Sequence, residues 1–510
     1  MKIDIEGLLY KHGPMASSKL KKLLIERGLS EEAARQRMSR GGENIMRFTH
    51  FYLPKREAFL YLAKDFNSRK FWNALLTAHS EAHSVYANTY FALRAYQGVI
   101  PAYLLAKVSG APIKLTKHVP VRLLEEQMVK GELLRRENDE EHGAYLVSHV
   151  HLHEGVNTPR DVRGQLLVEE ILIKGVSDWL RKNSMVSFNK VQVRNQEKMP
   201  DFSHHNWDIT APSYIHPLAS VANRKTQNGF VVADIVYANI TTEGIQAFMA
   251  KVNRCRSLRN SRPFMAMLIA DSFDKETMNQ ARQAGIMLTT VSNFLGTDIA
   301  HLMDSLLSTL NRAARIAAAN PGKINELLKG LNRIEGAAIN LRGVMFEMLV
   351  CHVVLKTQNV STVDMNKVVT YKNESAEIDV VGFRHEAEIK CYECKGYEVR
   401  RLITAEMIDK WIERVQRIRK FYQNSDVYRD RKLTFEYWTS STYTPEAEEK
   451  LKAFRDKNNR INVGWKDGQQ ILEIARKDRL TTITETLNEH YFKHPLSKEW
   501  PDETDVGSGN

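Results

Sequence analysis

The chain has 510 residues, 43% apolar and 26% charged, with 26 Gly and 14 Pro; this excludes collagen-like, low-complexity and intrinsically disordered chains and predicts about three or four domains. Lys plus Arg exceed Asp plus Glu by 73 to 61, a formal net charge of +12, which predicts a polyanionic partner. No run of 18 apolar residues is present, Met1–Glu6 carries two acids, and the four cysteines at 255, 351, 391 and 394 are too scattered for a disulfide framework. The apolar runs are too short for a spanning helix, Met1–Glu6 does not resemble a secretory leader, and the expectation is a cytoplasmic chain with no membrane partner.

Residues 1–60 hold 12 Lys/Arg against 7 Asp/Glu. The spacing predicts a helix over Met15–Arg27, with Leu20, Leu23 and Leu24 on one face and Gly28 as C-cap. Ser30 opens a short second helix to Arg40 whose surface carries Arg35, Arg37 and Arg40; Gly41-Gly42 stops it, and Ile45–Leu53 alternates as a strand. This order resembles a winged helix. A second copy begins near residue 88: Thr89–Tyr96 reads as helix and Gly98–Pro101 as a turn into Ala102–Val108. Thr116–Lys130, with Lys117 in its first turn, reads as a recognition helix, and Leu133–Arg136 with Ala144–Leu152 as wing strands around a charged tip. The cationic helices point to double-stranded DNA, with Arg35, Arg37, Arg40 and Lys117 as DNA-binding residues. Small helical domains used for protein contact are the alternative.

From about residue 161 the pattern turns to mixed α/β. Gln165–Lys182 is an amphipathic helix, Ser187–Val193 and Asp208–Thr210 are strand candidates, and Gly229–Tyr237 reads as a buried strand. Helix Glu243–Arg256, strand Phe264–Ile269, helix Lys275–Ala284 and strand Ile286–Val291 follow. Residues 300–335 read as a helical connector. Residues 336–495 repeat the order: Arg342-Gly343 opens a helix as Arg163-Gly164 does. Ala376–Phe383 and Glu388–Gly396 are strands, and helix Thr404–Tyr422, strand Lys432–Thr439, helix Pro445–Lys457 and strand Ile461–Trp465 close the repeat. The resulting division is 1–75, 76–160, 161–300, a connector 301–335, 336–497 and a disordered tail 498–510.

The chemistry concentrates in Glu377-Ile378-Asp379-Val380-Val381-Gly382 followed by Tyr392-Glu393-Cys394-Lys395-Gly396. On a strand Glu393 and Lys395 share one face and Cys394 takes the other. If the two strands form a hairpin, Asp379 meets Glu393 across the ladder, and two hard oxygen donors suit Mg²⁺ or Mn²⁺. An acid in the apolar run around Asp379 is unfavourable unless a partner or cation satisfies it. Lys395 is placed to orient or help deprotonate an attacking water, and Glu347 on the preceding helix completes the set.

These residues resemble the PD-(D/E)xK nuclease superfamily, with its restriction-endonuclease-like fold, through helix Glu347, strand Asp379 and strand Glu393-Cys394-Lys395, over about 160 C-terminal residues. The proline that often precedes the motif Asp is absent; Ile378 stands there. The resemblance implies a catalytic set of Glu347, Asp379, Glu393 and Lys395. Asp379, Glu393 and the Cys394 carbonyl would hold the metal, with Glu347 orienting its shell or binding a second ion. In 161–300 the same positions fail: Val168 stands where the helix acid is expected with Glu169 one residue out of phase, Asp208 is kept, and Asp234-Ile235-Val236 lacks the lysine. That predicts a degenerate copy.

Cys391-x-x-Cys394 sends its sulfurs to opposite faces and makes a poor zinc site. His204-His205 with Asp201 and Asp208 reads as a polar loop, and no phosphate-binding Gly-rich loop is present. Lys410, Arg414 and Arg417 recur at helical spacing on one face, which either follows a phosphate backbone or is a solvated charged surface, with Trp411, Phe421 and Tyr422 as core.

The combined expectation is an α/β multidomain chain: two winged-helix-like domains, then tandem restriction-endonuclease-like domains, the first degenerate. Its function would be a Mg²⁺- or Mn²⁺-dependent DNA endonuclease, by analogy of architecture a restriction or anti-phage defence effector of the prokaryotic cytosol. The rival readings are a non-catalytic DNA-binding regulator and a nuclease of recombination or mobile-element transfer. One intact site predicts a homodimer or nicking, and an activating protein partner fits the same reading.

Overall fold

The computed structural model describes residues 4–40, 42–115, 118–139, 143–149, 158–195, 198–215, 218, 220–222, 225–312, 322–331, 337–372, 374–385, 387–397, 401–458 and 461–492. The chain divides into two units, Met1–His301 and Leu302–Asn510. The expected tail 498–510, the middle of the connector, Thr116, Lys117 and the 140–142 tip lie outside the described residues. Among the described residues no helix is long and apolar enough to cross a membrane.

Unit 1 opens with α1 (Ile5–His12), β1 (Met15–Ala16), α2 (Ser17–Glu26), α3 (Glu31–Arg40), β2 (Ile45–Leu53) and β3 (Glu57–Leu62), in a sheet ordered β1-β3-β2. The helix expected over Met15–Arg27 is shortened at its start. Met15 and Ala16 pair with Leu60 and Phe59 as an edge strand, and the Ser18 N–H, unpaired within the new helix, donates to the Glu57 carboxylate at 2.7 Å. Leu20 and Leu24 then pack on Ile5, Leu8, Leu9 and Leu60.

After α4 (Arg69–Glu81) the order returns: α5 (Val85–Leu93), β4 (Val99–Pro101), α6 (Leu105–Ser109), α7 (Val121–Lys130), β5 (Leu134–Asp139) and β6 (Gly143–Ser148), in a sheet ordered β4-β6-β5. Gly98–Pro101 is not the expected turn. Val99 and Ile100 are fully buried and pair with Val147 and Leu146, because two adjacent β-branched residues gain more from the sheet than from solvent. The helix expected from Thr116 begins only at Val121, behind an extended Pro120. Phe48, Phe51, Phe71 and Trp72 share one core with Tyr86, Leu93, Leu124 and Leu146, so the two small sheets are bridged by a single apolar cluster.

His79 lies within that core, its Nδ1 2.8 Å from the Ser84 hydroxyl, and burial pushes it down to about 4. His205, with Nδ1 2.8 Å from the Ser203 carbonyl, is pushed down to about 4 by burial as well. In the unfolded chain each imidazole protonates near 6.5. The folded state refuses that proton until about 4, so stability present above pH 6.5 is lost as the pH falls toward 4. The loss is expected to be on the order of 3 kcal/mol per histidine. Thermal melts at pH 7, 6, 5 and 4 read it, and a slope unchanged in His79→Gln rules out the assignment to His79.

The remainder of unit 1 is α8 (Pro159–Lys182), β7 (Gln192–Val193), β8 (Asp201–Phe202), β9 (His205–Asn206), β10 (Ile209–Pro212), β11 (Ser220–Ala222), β12 (Lys225–Gln227) and β13 (Phe230–Ile240). It continues with α9 (Gln246–Ser257), β14 (Phe264–Phe273), α10 (Lys275–Gln283), β15 (Met287–Thr290) and α11 (Val291–Leu295). The main sheet runs β7-β10-β13-β14-β15; β10 is antiparallel to both neighbours, and β13, β14 and β15 are parallel. Two expectations change here. Of Ser187–Val193 only Gln192 and Val193 join the sheet, since Phe188–Lys190 forms a 3-10 turn, and Arg163-Gly164 lies inside α8 rather than at its start.

The boundary between the units falls within α12 (Thr297–Asn311). Unit 2 contains α13 (Gly322–Leu331), α14 (Ala337–Thr357), β16 (Thr362–Tyr371), β17 (Glu374–Arg384), β18 (Glu388–Lys395), α15 (Ala405–Gln423), β19 (Lys432–Thr439), α16 (Pro445–Lys457), β20 (Asn462–Lys466), α17 (Gly468–Lys477) and α18 (Thr481–Leu487). Its sheet runs β16-β17-β18-β19-β20, with two antiparallel pairings followed by two parallel ones. Strand order and sense match those of the main sheet of unit 1. Trp411 and Tyr422 are buried on α15, against Tyr437, Leu433 and Phe435 of β19. Arg342-Gly343 sits in the second turn of α14, which starts at Ala337.

Candidate active site

Strands β17 and β18 form the expected hairpin, with Val380 opposite Tyr392. The paired register ends there, and Asp379 and Glu393 are the next residues on the two strands. The apolar neighbours of Asp379 leave it only 5% exposed, and Glu393 is equally buried. A carboxylate at that depth needs donors. Asp379 Oδ2 accepts the Cys394 N–H at 2.7 Å, so the strand that carries Glu393 also fixes the carboxylate opposite it. Lys395 Nζ lies 2.7 Å from Glu393 Oε1 and 3.8 Å from Asp379 Oδ2. Arg414, from α15, brings Nη1 to 2.8 and 2.9 Å from the two Glu393 oxygens. Burial alone would raise the Glu393 carboxyl, but Lys395 and Arg414 outweigh it and hold it below the usual carboxylate range.

Glu347 is half-buried on α14, which packs against β18. Its charge acts on Cys394, whose thiol is pushed up by burial and then by Asp379, Glu347 and Glu393, so Cys394 stays a neutral thiol. The close approach of α14 to this strand depends on Gly396. A Cβ there would meet Phe346 Cβ at 2.5 Å and the Arg342 carbonyl at 2.6 Å, whereas Gly343, the small residue on the helix, has open space.

The structure thus brings Asp379, Glu393 and Lys395 together and adds Arg414. The other expected positions are dispersed. Lys410 is exposed and pairs with Glu406 one turn back at 2.8 Å, and Arg417 is half-buried on the same helix. Arg35 is exposed and pairs with Glu31 at 2.9 Å, Arg40 is exposed and Arg37 is half-buried. Lys117 lies outside the described residues. All four cysteines are buried free thiols.

The matching place in unit 1 is built from the same frame. Asp208 Oδ2 accepts the Ile235 N–H at 2.7 Å, the counterpart of Asp379 and Cys394, and Asp234 precedes Ile235 as Glu393 precedes Cys394. Here, however, the acids are engaged by cations from elsewhere in unit 1. Lys107 Nζ on α6 lies 2.8 Å from Asp208 Oδ2 and 3.4 Å from Glu169 Oε2. Arg194 lies 3.3 Å from both acids, and Lys251 lies 2.5 Å from Asp234 Oδ2. Burial pushes Asp208 up, but Arg194 and Lys107 hold it below its ordinary range. Burial pushes Asp234 up and Lys251 down, which draws that pair toward sharing one proton. Sequence reading missed Lys107, Arg194 and Lys251 as members of a site. The available signal was a lone lysine inside the apolar run Leu104–Val108, which is costly to bury without a counter-charge.

A divalent cation has different prospects in the two places. Among the described residues no group of three His, Cys, Asp or Glu side chains is arranged to hold a metal ion. In unit 2 the donor set is two buried carboxylates on adjacent strands, hard oxygens of the kind Mg²⁺ and Mn²⁺ prefer. In unit 1 the set does not fit, because an ammonium already lies among the acids.

No family model and no curated protein matches the chain. Among solved structures, part of the chain is similar to a repair endonuclease from Pyrococcus abyssi, at 8% identity over 31% of this chain and 64% of that chain, with a TM-score of 0.18. It is also similar to protein VC1899 from Vibrio cholerae, at 10% identity over 47% and 81% with a TM-score of 0.19. A third is restriction endonuclease FokI bound to DNA, at 10% identity over 55% and 58% with a TM-score of 0.17. The match therefore spans less than two thirds of the repair endonuclease and of FokI, and at these TM-scores it carries no inference about activity. By its own sheets and helices, the chain is a multidomain protein of the mixed α/β class.

Proposed function

We propose that this protein is a metal-dependent DNA endonuclease of the PD-(D/E)xK type, with unit 2 as the catalytic module. The observation that carries this reading is the meeting of buried Asp379 and Glu393 with Lys395 at the end of the β17–β18 hairpin, in a sheet preceded by the Glu347 helix. Asp379, Glu393 and the Cys394 carbonyl would hold Mg²⁺ or Mn²⁺, with Glu347 beside them. When bound, the ion supplies Lewis-acid stabilisation of the charge that develops on a scissile phosphate. Lys395 orients the attacking water and takes part in its deprotonation. The Cys394 N–H, which donates to Asp379 Oδ2, holds that carboxylate in place.

The order of α2, α3 and the β2–β3 hairpin, repeated in α6, α7 and β5–β6, supports two winged-helix-like readers of duplex DNA. Arg35, Arg37 and Arg40 are the proposed contacts of the first, and Lys410 and Arg417 those of the nuclease module, whereas Arg414 is held by Glu393. The shared strand order of the two large sheets supports a tandem, degenerate first copy. Such an assembly suits a restriction or anti-phage defence effector, acting as a dimer or a nickase and licensed by a partner protein. One observation favours the non-catalytic regulator instead: Lys395 and Arg414 neutralise Glu393 with no metal needed.

Purified protein incubated with supercoiled plasmid in Mg²⁺, Mn²⁺ or EDTA separates the two. Cleavage in Mg²⁺ or Mn²⁺ that EDTA abolishes is the expected result. Tight duplex binding with no cleavage under any of these conditions favours the regulator.

A further inference from the structure

The buried cluster of unit 1 has the composition of an ion-binding pocket, with the ion supplied by the chain. Around Lys107 Nζ lie four oxygens: the Ile235 carbonyl at 2.7 Å, Asp208 Oδ2 at 2.8 Å, the Tyr96 hydroxyl at 3.0 Å and Glu169 Oε2 at 3.4 Å. The lysine side chain is 1% exposed and both acids are fully buried. Two of these oxygens occupy the positions in the frame that Asp379 and the Cys394 carbonyl hold in unit 2, since Asp208 accepts the Ile235 N–H as Asp379 accepts the Cys394 N–H. The third, Glu169, comes from α8 and also accepts the Tyr237 N–H at 3.2 Å, which locks it over β13. At the strand position equivalent to Lys395 stands Val236, so no lysine of the sheet itself reaches this place. The cation arrives from α6, 128 residues before Ile235 in the chain.

Charge balance points the same way. Glu169, Asp208 and Asp234 are matched by Lys107, Arg194 and Lys251, one cation to each acid. Deleting the Lys107 ammonium leaves two acids and a carbonyl directed at the vacated position, with only Arg194 to balance them. Oxygens of that kind prefer a hard divalent ion.

We propose that Lys107 is the resident cation of a carboxylate–carbonyl pocket in unit 1, taking the place of a divalent ion, and that removing its ammonium creates a binding site for Mn²⁺ or Mg²⁺. The pocket is closed by the chain itself, so the module serves as structure and not as a second cutting centre. The inference rests on the geometry of unit 1 and on the reading of that module as a degenerate copy, and it does not require unit 2 to cleave DNA.

The test uses the full-length protein with Asp379→Asn as background, which weakens the proposed ion site of unit 2, at Mn²⁺ concentrations below those at which the background protein itself binds the ion. Manganese binding is followed by electron paramagnetic resonance, and folding by thermal melts in Mn²⁺ and in EDTA. The background protein is expected to bind no Mn²⁺ in unit 1, and adding Lys107→Ala is expected to create one Mn²⁺ site per chain that Asp208→Asn removes again. Mn²⁺ should raise the melting temperature of Lys107→Ala, or restore a cooperative melt if that variant needs the ion to fold. Lys107→Met, whose side chain refills the space without a charge, should show neither effect. A cooperatively folded Lys107→Ala that binds no Mn²⁺ overturns the proposal. So does a Lys107→Ala that Mn²⁺ fails to restore while Lys107→Met melts cooperatively, and so does equal stabilisation of both variants by Mn²⁺. Loss of Mn²⁺ binding on comparing the wild-type chain with Asp379→Asn bears on unit 2 alone, which keeps the two readings separable.

Discussion

Asparagine at Asp379 is expected to lower plasmid cleavage by about a thousandfold, because it removes one of two charges that would hold the ion. Several kcal/mol of transition-state stabilisation are lost with it, at about 1.4 kcal/mol per tenfold in rate. The substitution is close to isosteric, and its side-chain oxygen still accepts the Cys394 N–H that Asp379 accepts at 2.7 Å, so the melting temperature should change little. Lys395→Met is expected to cost on the order of a hundredfold, the lower range for losing a positioned proton-transfer group. The two variants differ in a second way. Raising Mn²⁺ should recover part of the activity in Asp379→Asn, where ion affinity falls, and none in Lys395→Met. Undiminished cleavage by a folded Asp379→Asn protein would remove unit 2 from the chemistry altogether.

The second large effect concerns stability. Glu169→Ala leaves Lys107 and Arg194 buried with half their counter-charge, and uncompensated charges of that kind typically cost about 3–5 kcal/mol. For a unit of this size the melting temperature of unit 1 should fall by about 10 °C. Glu169→Ala combined with Arg194→Met should recover part of the loss, because the second change removes one of the stranded cations. Differential scanning calorimetry of the single and double variants reads both numbers. Strictly additive losses would mean that Glu169 contributes by filling space and not by its charge.

How much of this was legible in the sequence depends on what each residue answers to. The β17–β18 hairpin declares itself through a long apolar run on one strand and Glu-x-Lys on the other, both local patterns. Strand β16 went unread because Lys367 and Val368 break the alternation that Val363–Asn366 begins, and its pairing with β17 is what makes it a strand. The shortening of the first long helix follows from a partner far along the chain, β3, which no local period reports. At the site, Asp379, Glu393 and Lys395 follow from strand geometry alone. Arg414 was read as a phosphate contact from its spacing with Lys410 and Arg417. In the fold it turns inward to Glu393, while Lys410 at 72% side-chain exposure stays with its own helix neighbour. A stripe of cations at equal spacing is a statement about a helix face, and whether a given member of it is buried depends on the sheet that packs beneath. Lys107 stands out in its apolar run, but its partners were unreadable for the same reason, since they lie 62 and 128 residues away.

That separation has a consequence for the birth of the chain. At a synthesis rate of about 5–20 residues per second, the α6 lysine emerges on the order of ten seconds before the Ile235 carbonyl that receives it. During that interval the ammonium holds its water, while Leu104, Leu105 and Val108 already have the core residues Phe71, Trp72, Tyr86 and Leu93 to pack on. The apolar side of α6 can therefore close over partners made before it, and only the burial of its lysine waits for β10 and β13.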